Sequence, residues 1–143
     1  MINPGYDIQI AAWEALQGIE WNGQPVPIFD EIVEDGAGFP RIVLLEVAGG
    51  GDRFTKCGFG ADWSQLIKVT MAWPVTSRVN KQAINDIADQ ILQRLVPNDG
   101  NLVVPGIAIW KTFGNVLNDA NYGDGAMNYI DKNIRITYSL TEN

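Results

Sequence analysis

The sequence predicts an α+β fold: a mostly antiparallel β-sheet with two helices packed on one face, in the order α-β-β-β-α-β-β. Residues 80–95 place apolar side chains at helical spacing, residues 63–73 and 129–140 alternate with period two, and runs of strands are set between single helices. At 143 residues and 15.7 kDa the chain reads as one domain, 1–143. Area scaling gives about 7,300 Å² folded against about 22,800 Å² unfolded, so roughly two-thirds of the surface is buried and no staple is needed.

The first helix is expected over 7–18, where Asp7 is a candidate N-cap after Pro4 and Gly5. Ile8, Ala11, Ala12, Ala15 and Leu16 recur at helical spacing before Gly18 ends the run. Asn22-Gly23 signals a turn, Val26 to Ile32 a short strand, and Asp35 to Gly38 a second turn. Arg41 to Val47 is a β-branched and leucine run, as in a strand covered on both faces. Residues 49–60 hold five glycines in twelve positions and read as a long mobile loop between two strands. From Trp63 to Trp73, Gln65, Ile67, Val69, Met71 and Trp73 share one strand face, and Pro74 stops the run. In the second helix Ile84, Ile87, Ala88, Ile91, Leu92 and Leu95 make the core face, and Pro97 to Gly100 end it. A strand is expected within 103–117, then a polar loop over 118–125. In the last strand Ile130, Lys132, Ile134, Ile136, Tyr138 and Leu140 share one face.

Composition excludes several chemistries. The chain has no histidine, which removes Ser–His and Cys–His catalysis, His-ligated zinc and a His proton shuttle. Cys57 is the only cysteine, so no intrachain disulfide or Cys-based zinc cage can form, and a reducing, cytoplasmic site of synthesis fits. No apolar run nears the ~20 residues that cross a bilayer, and residues 1–7 lack the basic-then-apolar order of a signal peptide. The formal charge of −7 lies wholly in residues 1–48, where eight acidic side chains face Arg41 alone, while residues 49–143 carry nine of each sign. Such an acidic chain repels phosphate backbones, which argues against nucleic-acid readout.

Asp30, Glu31, Glu34 and Asp35 form the densest carboxylate cluster. On a strand Asp30 and Glu31 point to opposite faces, and the spacing misses the calcium-loop pattern, so a solvated strand end and turn is the favoured reading. A carboxylate-dependent Mg²⁺ enzyme would have to use Asp30 or Glu34 with Asp119 or Asp124. The glycine-rich stretch lacks the Lys-Ser/Thr of a phosphate loop. It fits a segment that orders on a partner, with Phe54 and Phe59 as anchors and Asp52, Arg53 and Lys56 as polar rim. Five tryptophans (13, 21, 63, 73 and 110) leave room for one or two at an interface, and no nearby base activates Cys57. No catalytic, cofactor-binding or metal residue is assigned.

A family resemblance rests on motifs in order. Ala-Leu-Gln-Gly at 15–18 precedes Pro-Val-Pro-Ile-Phe-Asp-Glu-Ile at 25–32, then an acidic turn and Phe-Pro-Arg-Ile-Val-Leu at 39–44. A strand ending in Trp73 leads through Arg78 to the helix with Ile87-Ala88-Asp89-Gln90-Ile91. This order resembles the tail completion, or tail terminator, proteins of tailed bacteriophages. Those show a Pro-Val-Tyr-Asp-Glu-Val-Pro strand, a Phe-Pro-Tyr-x-x-Ile strand, a Val-Trp-Ser strand end and an Ile-Ala-Asp helix. The resemblance covers about 8 to 96 and little of 97–127. It departs where Val33 and Glu34 replace a proline and where Pro74 follows Trp73.

The resemblance implies a non-enzymatic virion protein without cofactors, made in the host cytoplasm and placed at the head-proximal end of the phage tail. Such subunits form a ring, commonly of six, that stops tube polymerisation and presents the surface that joins the head. Implied partners are other copies of the chain, the tail tube protein and the head–tail connector. DNA would pass through without specific binding, and no membrane is involved. Six copies of 15.7 kDa weigh 94.2 kDa and carry six times −7, or −42 charges. An acidic surface of Asp30, Glu31, Glu34 and Asp35 towards the lumen would keep DNA from adsorbing. A head–tail connector or another tail-tube component on a similar scaffold is the alternative.

Overall fold

Apolar residues on one side of the first helix set its packing. In this computed structural model, which describes residues 5–30, 38–55, 58–76, 81–98 and 100–142, α1 spans Gly5–Ala15 and buries Ile8, Ala11 and Ala12, with Leu16 buried just beyond. Because the helix starts at Gly5, Asp7 sits inside its first turn, where its charge complements the helix dipole, and not at the cap. At the other end the Arg94 guanidinium donates to the carbonyls of Ala15 (3.2 Å) and Gln17, a cation on the orphan acceptors of a helix C-terminus.

Strands β1 (Glu20–Trp21) and β2 (Gln24–Pro25) form a tight hairpin. Its two turn residues, Asn22 and Gly23, both have positive φ (56° and 78°), the backbone of the turn that an Asn-Gly pair favours. Within the strand expected over 26–32, β3 is Ile28–Asp30 and runs parallel to the next strand, Ile28 opposite Ile42, while residues 31–32 lie outside the described residues.

β4 (Arg41–Thr55) and β5 (Gly58–Pro74) correct the expectation of a long loop over 49–60. They stay paired as far as Thr55 opposite Gly58, with one extra β4 residue in each of two bulges, between Leu44 and Val47 and between Gly49 and Asp52. Ladder hydrogen bonds need no side chains, so glycine does not prevent pairing. At Gly49 it lets the Trp63 indole pack close to the backbone, since a Cβ there would meet the ring at a tight 3.2 Å.

α2 (Gln82–Leu95) buries Ala83, Ile84, Ile87, Ala88, Ile91 and Leu95, the predicted face except that Leu92 is only half-buried and Ala83 joins it, and lies over β5 and β8 (Met127–Glu142). β5 and β8 pair without a break from Gly60–Thr141 to Pro74–Met127, roughly 48 Å of uninterrupted ladder. Ile42, Leu44, Ile67, Val69, Ile134, Ile136 and Tyr138 of the sheet join Ile8, Leu16, Ile84, Ile87 and Ile91 of the helical layer in one core cluster.

β6 (Ile107–Val116) flanks β8 on the side away from β5, giving the order β3-β4-β5-β8-β6. The polar stretch 118–125 is a second correction. Ala120–Gly123 form β7, which continues along the same side of β8 after residues 117–119 oppose only 132–133. Its four residues are all exposed, so no alternation of apolar side chains announces it.

Candidate assembly surface

The predicted partner residues lie at the far end of the long hairpin. Asp52, Arg53 and Phe54 are on β4, opposite Ala61, Gly60 and Phe59, while Lys56 and Cys57 fall outside the described residues. β3 pairs only with Ile42–Leu44, so beyond Leu44 the outer edge of β4 carries no strand among the described residues.

Of the acidic cluster, Asp30 ends β3 and is exposed, whereas Glu31, Glu34 and Asp35 lie outside the described residues. Asp30 Oδ1 terminates a hydrogen-bond chain through the core. The buried Tyr138 hydroxyl donates to Gln65 Oε1 (3.0 Å), Gln65 Nε2 to Gln9 Oε1 (2.7 Å), and Gln9 Nε2 to Asp30 (2.6 Å). Burial pushes the Tyr138 phenol above its usual range, which keeps it a neutral donor. The chain ties β8, β5, α1 and β3 together and satisfies the otherwise costly buried amide of Gln65.

Asp119 and Asp124 are each engaged locally. Asp119 pairs with Lys132 at 2.9 Å. Asp124 caps its own turn: the Met127 and Ala126 amides donate at 2.9 and 3.1 Å and the Tyr129 hydroxyl at 3.1 Å, which holds its carboxyl below the ordinary range. Asp30 lies four strand spacings from β7, about 19 Å, so it cannot share a cation with Asp119 or Asp124. Among the described residues no group of three or more His, Cys, Asp or Glu is placed to hold a metal, and no helix is long and apolar enough to cross a membrane.

Two exposed apolar surfaces went unread in the sequence. On α1, Tyr6 (76% exposed), Ile10 and Trp13 (42%) form a stripe at i, i+4 and i+7 on the side opposite Ile8 and Ala12. The signal was present as a second apolar face on a helix already assigned one. On the outermost strand line, Trp110 (56%), Phe113, Val116 and Tyr122 are exposed. Trp110 is the extra residue of a bulge between Ile109 and Lys111, and Lys111 Nζ sits 4.5 Å over the Phe113 ring. Beside this edge an open groove of about 750 Å³ runs between α2 and β6, lined by Leu92, Val96, Pro97 and Gly114. Gly114 allows that close approach, because a Cβ there would meet Leu92 at 2.5 Å.

No protein-family model and no curated protein matches the sequence. Solved structures do resemble it. A chain of the virion of a native gene transfer agent particle superposes with a TM-score of 0.60, covering 92% of this chain and 94% of that chain at 16% identity. At that identity the likeness establishes a shared fold over nearly the full length of both chains.

Proposed function

We propose that this chain is a structural subunit of a phage-type particle, and that it forms a ring on the end of the tail tube, stops tube polymerisation and offers the surface that joins the head. The observation that carries this reading is the end-to-end likeness to a virion chain, with neither protein contributing a large extra element. The ordered motifs over 8–96 point the same way. Two separate exposed apolar surfaces, on α1 and on the outermost strands, are compatible with this reading, since a cyclic interface joins unlike patches.

In this reading the hairpin end, with Asp52, Arg53, Phe54, Lys56 and Phe59, meets the tube or the connector. Asp30, Glu31, Glu34 and Asp35 contribute to an acidic lumen through which DNA slides. The role needs no catalytic residue and no cofactor. Particles lacking the protein should show over-long tubes or unattached tails by electron microscopy. Tails of normal length joined to heads would overturn the proposal. Crosslinking exclusively to the head connector, with tube length unchanged, would support a connector role on the same scaffold instead.

A further inference from the structure

We infer that β7 (Ala120–Gly123) is a separately opening strap, latched to β8 by Asp119 and Tyr122, that covers and uncovers the outer edge of Asn128–Asp131. The inference does not rest on the ring reading.

The strap contributes nothing to the core. All four residues of β7 are exposed, and Tyr122 is the one large side chain among them. β6, the strand before it in the chain, is tied down along its length: Ile107 and Ile109 pack against the core cluster, and Gly114 lies against Leu92 of α2. β8 does not depend on β7 either. Asn128–Asp131 pair on their other side with Thr70–Trp73 of β5, and Ile130 is fully buried. β7 can therefore leave without drawing a core residue into water or breaking the β5–β8 ladder. Its own ladder bonds and side-chain contacts alone set the cost of that opening.

Two of those contacts are latches. Asp119 pairs with Lys132 at 2.9 Å, and both side chains are half-buried, so the pair is screened less than a fully exposed one. The Tyr122 hydroxyl donates to Asp131 Oδ1 at 3.2 Å, and its ring stacks on Tyr129 with the centroids 5.1 Å apart. Asp131 is held in place for this contact by the Thr70 hydroxyl, which donates at 2.7 Å. On either side of the strap the chain is fixed. The Leu117 amide donates to the Asn133 carbonyl at 2.8 Å, and Asp124 caps the turn that leads to Met127. These two fixed ends are the hinges.

The position of the strap gives the opening its consequence. With β7 in place, Asn128–Asp131 are paired on both sides; with β7 away, their outer N–H and C=O groups are bare, the form of edge that accepts another strand. Few buried contacts and solvent-exposed ladder bonds mark the segments that open at the lowest free energy. The edge is thus uncovered by local opening and not by unfolding of the sheet.

The test is amide hydrogen exchange on the full-length chain, read residue by residue by NMR at constant pH, in the wild type, Asp119→Asn and Tyr122→Phe. In the wild type the ladder-bonded amides of β7 should exchange at least about tenfold faster than those of Ile67 and Ile134 in the covered sheet. The amides of Asn128–Asp131 that point towards β7 should exchange at the β7 rate, since one opening frees both. Each variant should speed this group about threefold and leave Ile67 and Ile134 unchanged. β7 amides as slow as Ile67 and Ile134 would overturn the inference. So would amides of Asn128–Asp131 that stay slow while β7 exchanges, because the edge would then remain covered. Variants that speed every amide equally would make the two contacts part of the global fold, and variants that leave β7 exchange as it was would mean that they latch nothing; either result contradicts the assignment.

Discussion

The half of the sheet beneath the helices and the half that runs beyond them are built on the same strands from different residues. Under α1 and α2, β4 and β5 present Ile42, Leu44, Ile67 and Val69, all buried, and the polar chain from Tyr138 to Asp30 is fully paired. Past Leu44, β4 takes up two bulges and three consecutive glycines, and its outer edge carries no strand among the described residues. The covered half is held by burial, which reaches along the strands as far as Tyr138 and Leu140; the hairpin end, from Asp52 opposite Ala61 to Thr55 opposite Gly58, is joined by ladder hydrogen bonds, each worth only about 1 kcal/mol net. One set of strands thus provides a packed base and a hairpin arm that extends from it.

The largest expected break in that comparison is Ile87→Asp, or equally Ile91→Asp. Each puts an unpaired charge on the fully buried face of α2, a change of several kcal/mol and a large share of a small domain's stability. The variant should be insoluble or unfolded by circular dichroism; a soluble variant with native melting would mean that this face is not the core.

Next is Gln65→Leu, which orphans the buried Tyr138 hydroxyl and should cost about 2 kcal/mol in urea unfolding. Adding Tyr138→Phe should recover part of that loss, because the partner left unsatisfied is then also removed. Simple additivity of the two would show that the chain is not coupled.

Excising Arg53–Gly60 and closing Asp52 to Ala61 with an Asn-Gly turn sharpens the comparison from the other side. Stability should change by no more than about 1 kcal/mol, since the removed segment is the far end of the hairpin ladder, while capping of tail tubes should be lost. Unfolding of this variant would show the arm to be part of the base.

The smallest effect is confined to acid. Three donated hydrogen bonds hold Asp124 below its ordinary value of 3.8 in the folded chain. Its contribution is therefore complete above that value and disappears as the pH falls through the lower folded pKa. Asp124→Asn should melt below the wild type at pH 6, and the gap should close below about pH 3.8. A gap that stays constant down to pH 2 would contradict the turn-capping role.

What the sequence made legible follows the same division. Where burial imposes a period, as at Ile84, Ile87, Ile91 and Leu95 or at Ile134, Ile136 and Tyr138, element, face and partner layer could all be read. Where no apolar alternation marks a strand in the sequence, as at Gly49–Thr55 and Ala120–Gly123, turn-forming residues masked it. The parallel pairing of Ile28–Asp30 with β4 had no local signal, because strand direction is set by tertiary placement. The five tryptophans left room for one or two at an interface; which of them are exposed was not legible, since Trp110 sits on a bulge and Trp13 on a second stripe that α1's buried face obscured.

The most direct test of the terminator reading is the absolute mass of the purified chain across a concentration series, with purified tail tubes added to a parallel sample. The account predicts a species near 94 kDa, six copies of 15.7 kDa, or stoichiometric capping of tube ends. A monomer that ignores tubes at every concentration would contradict it.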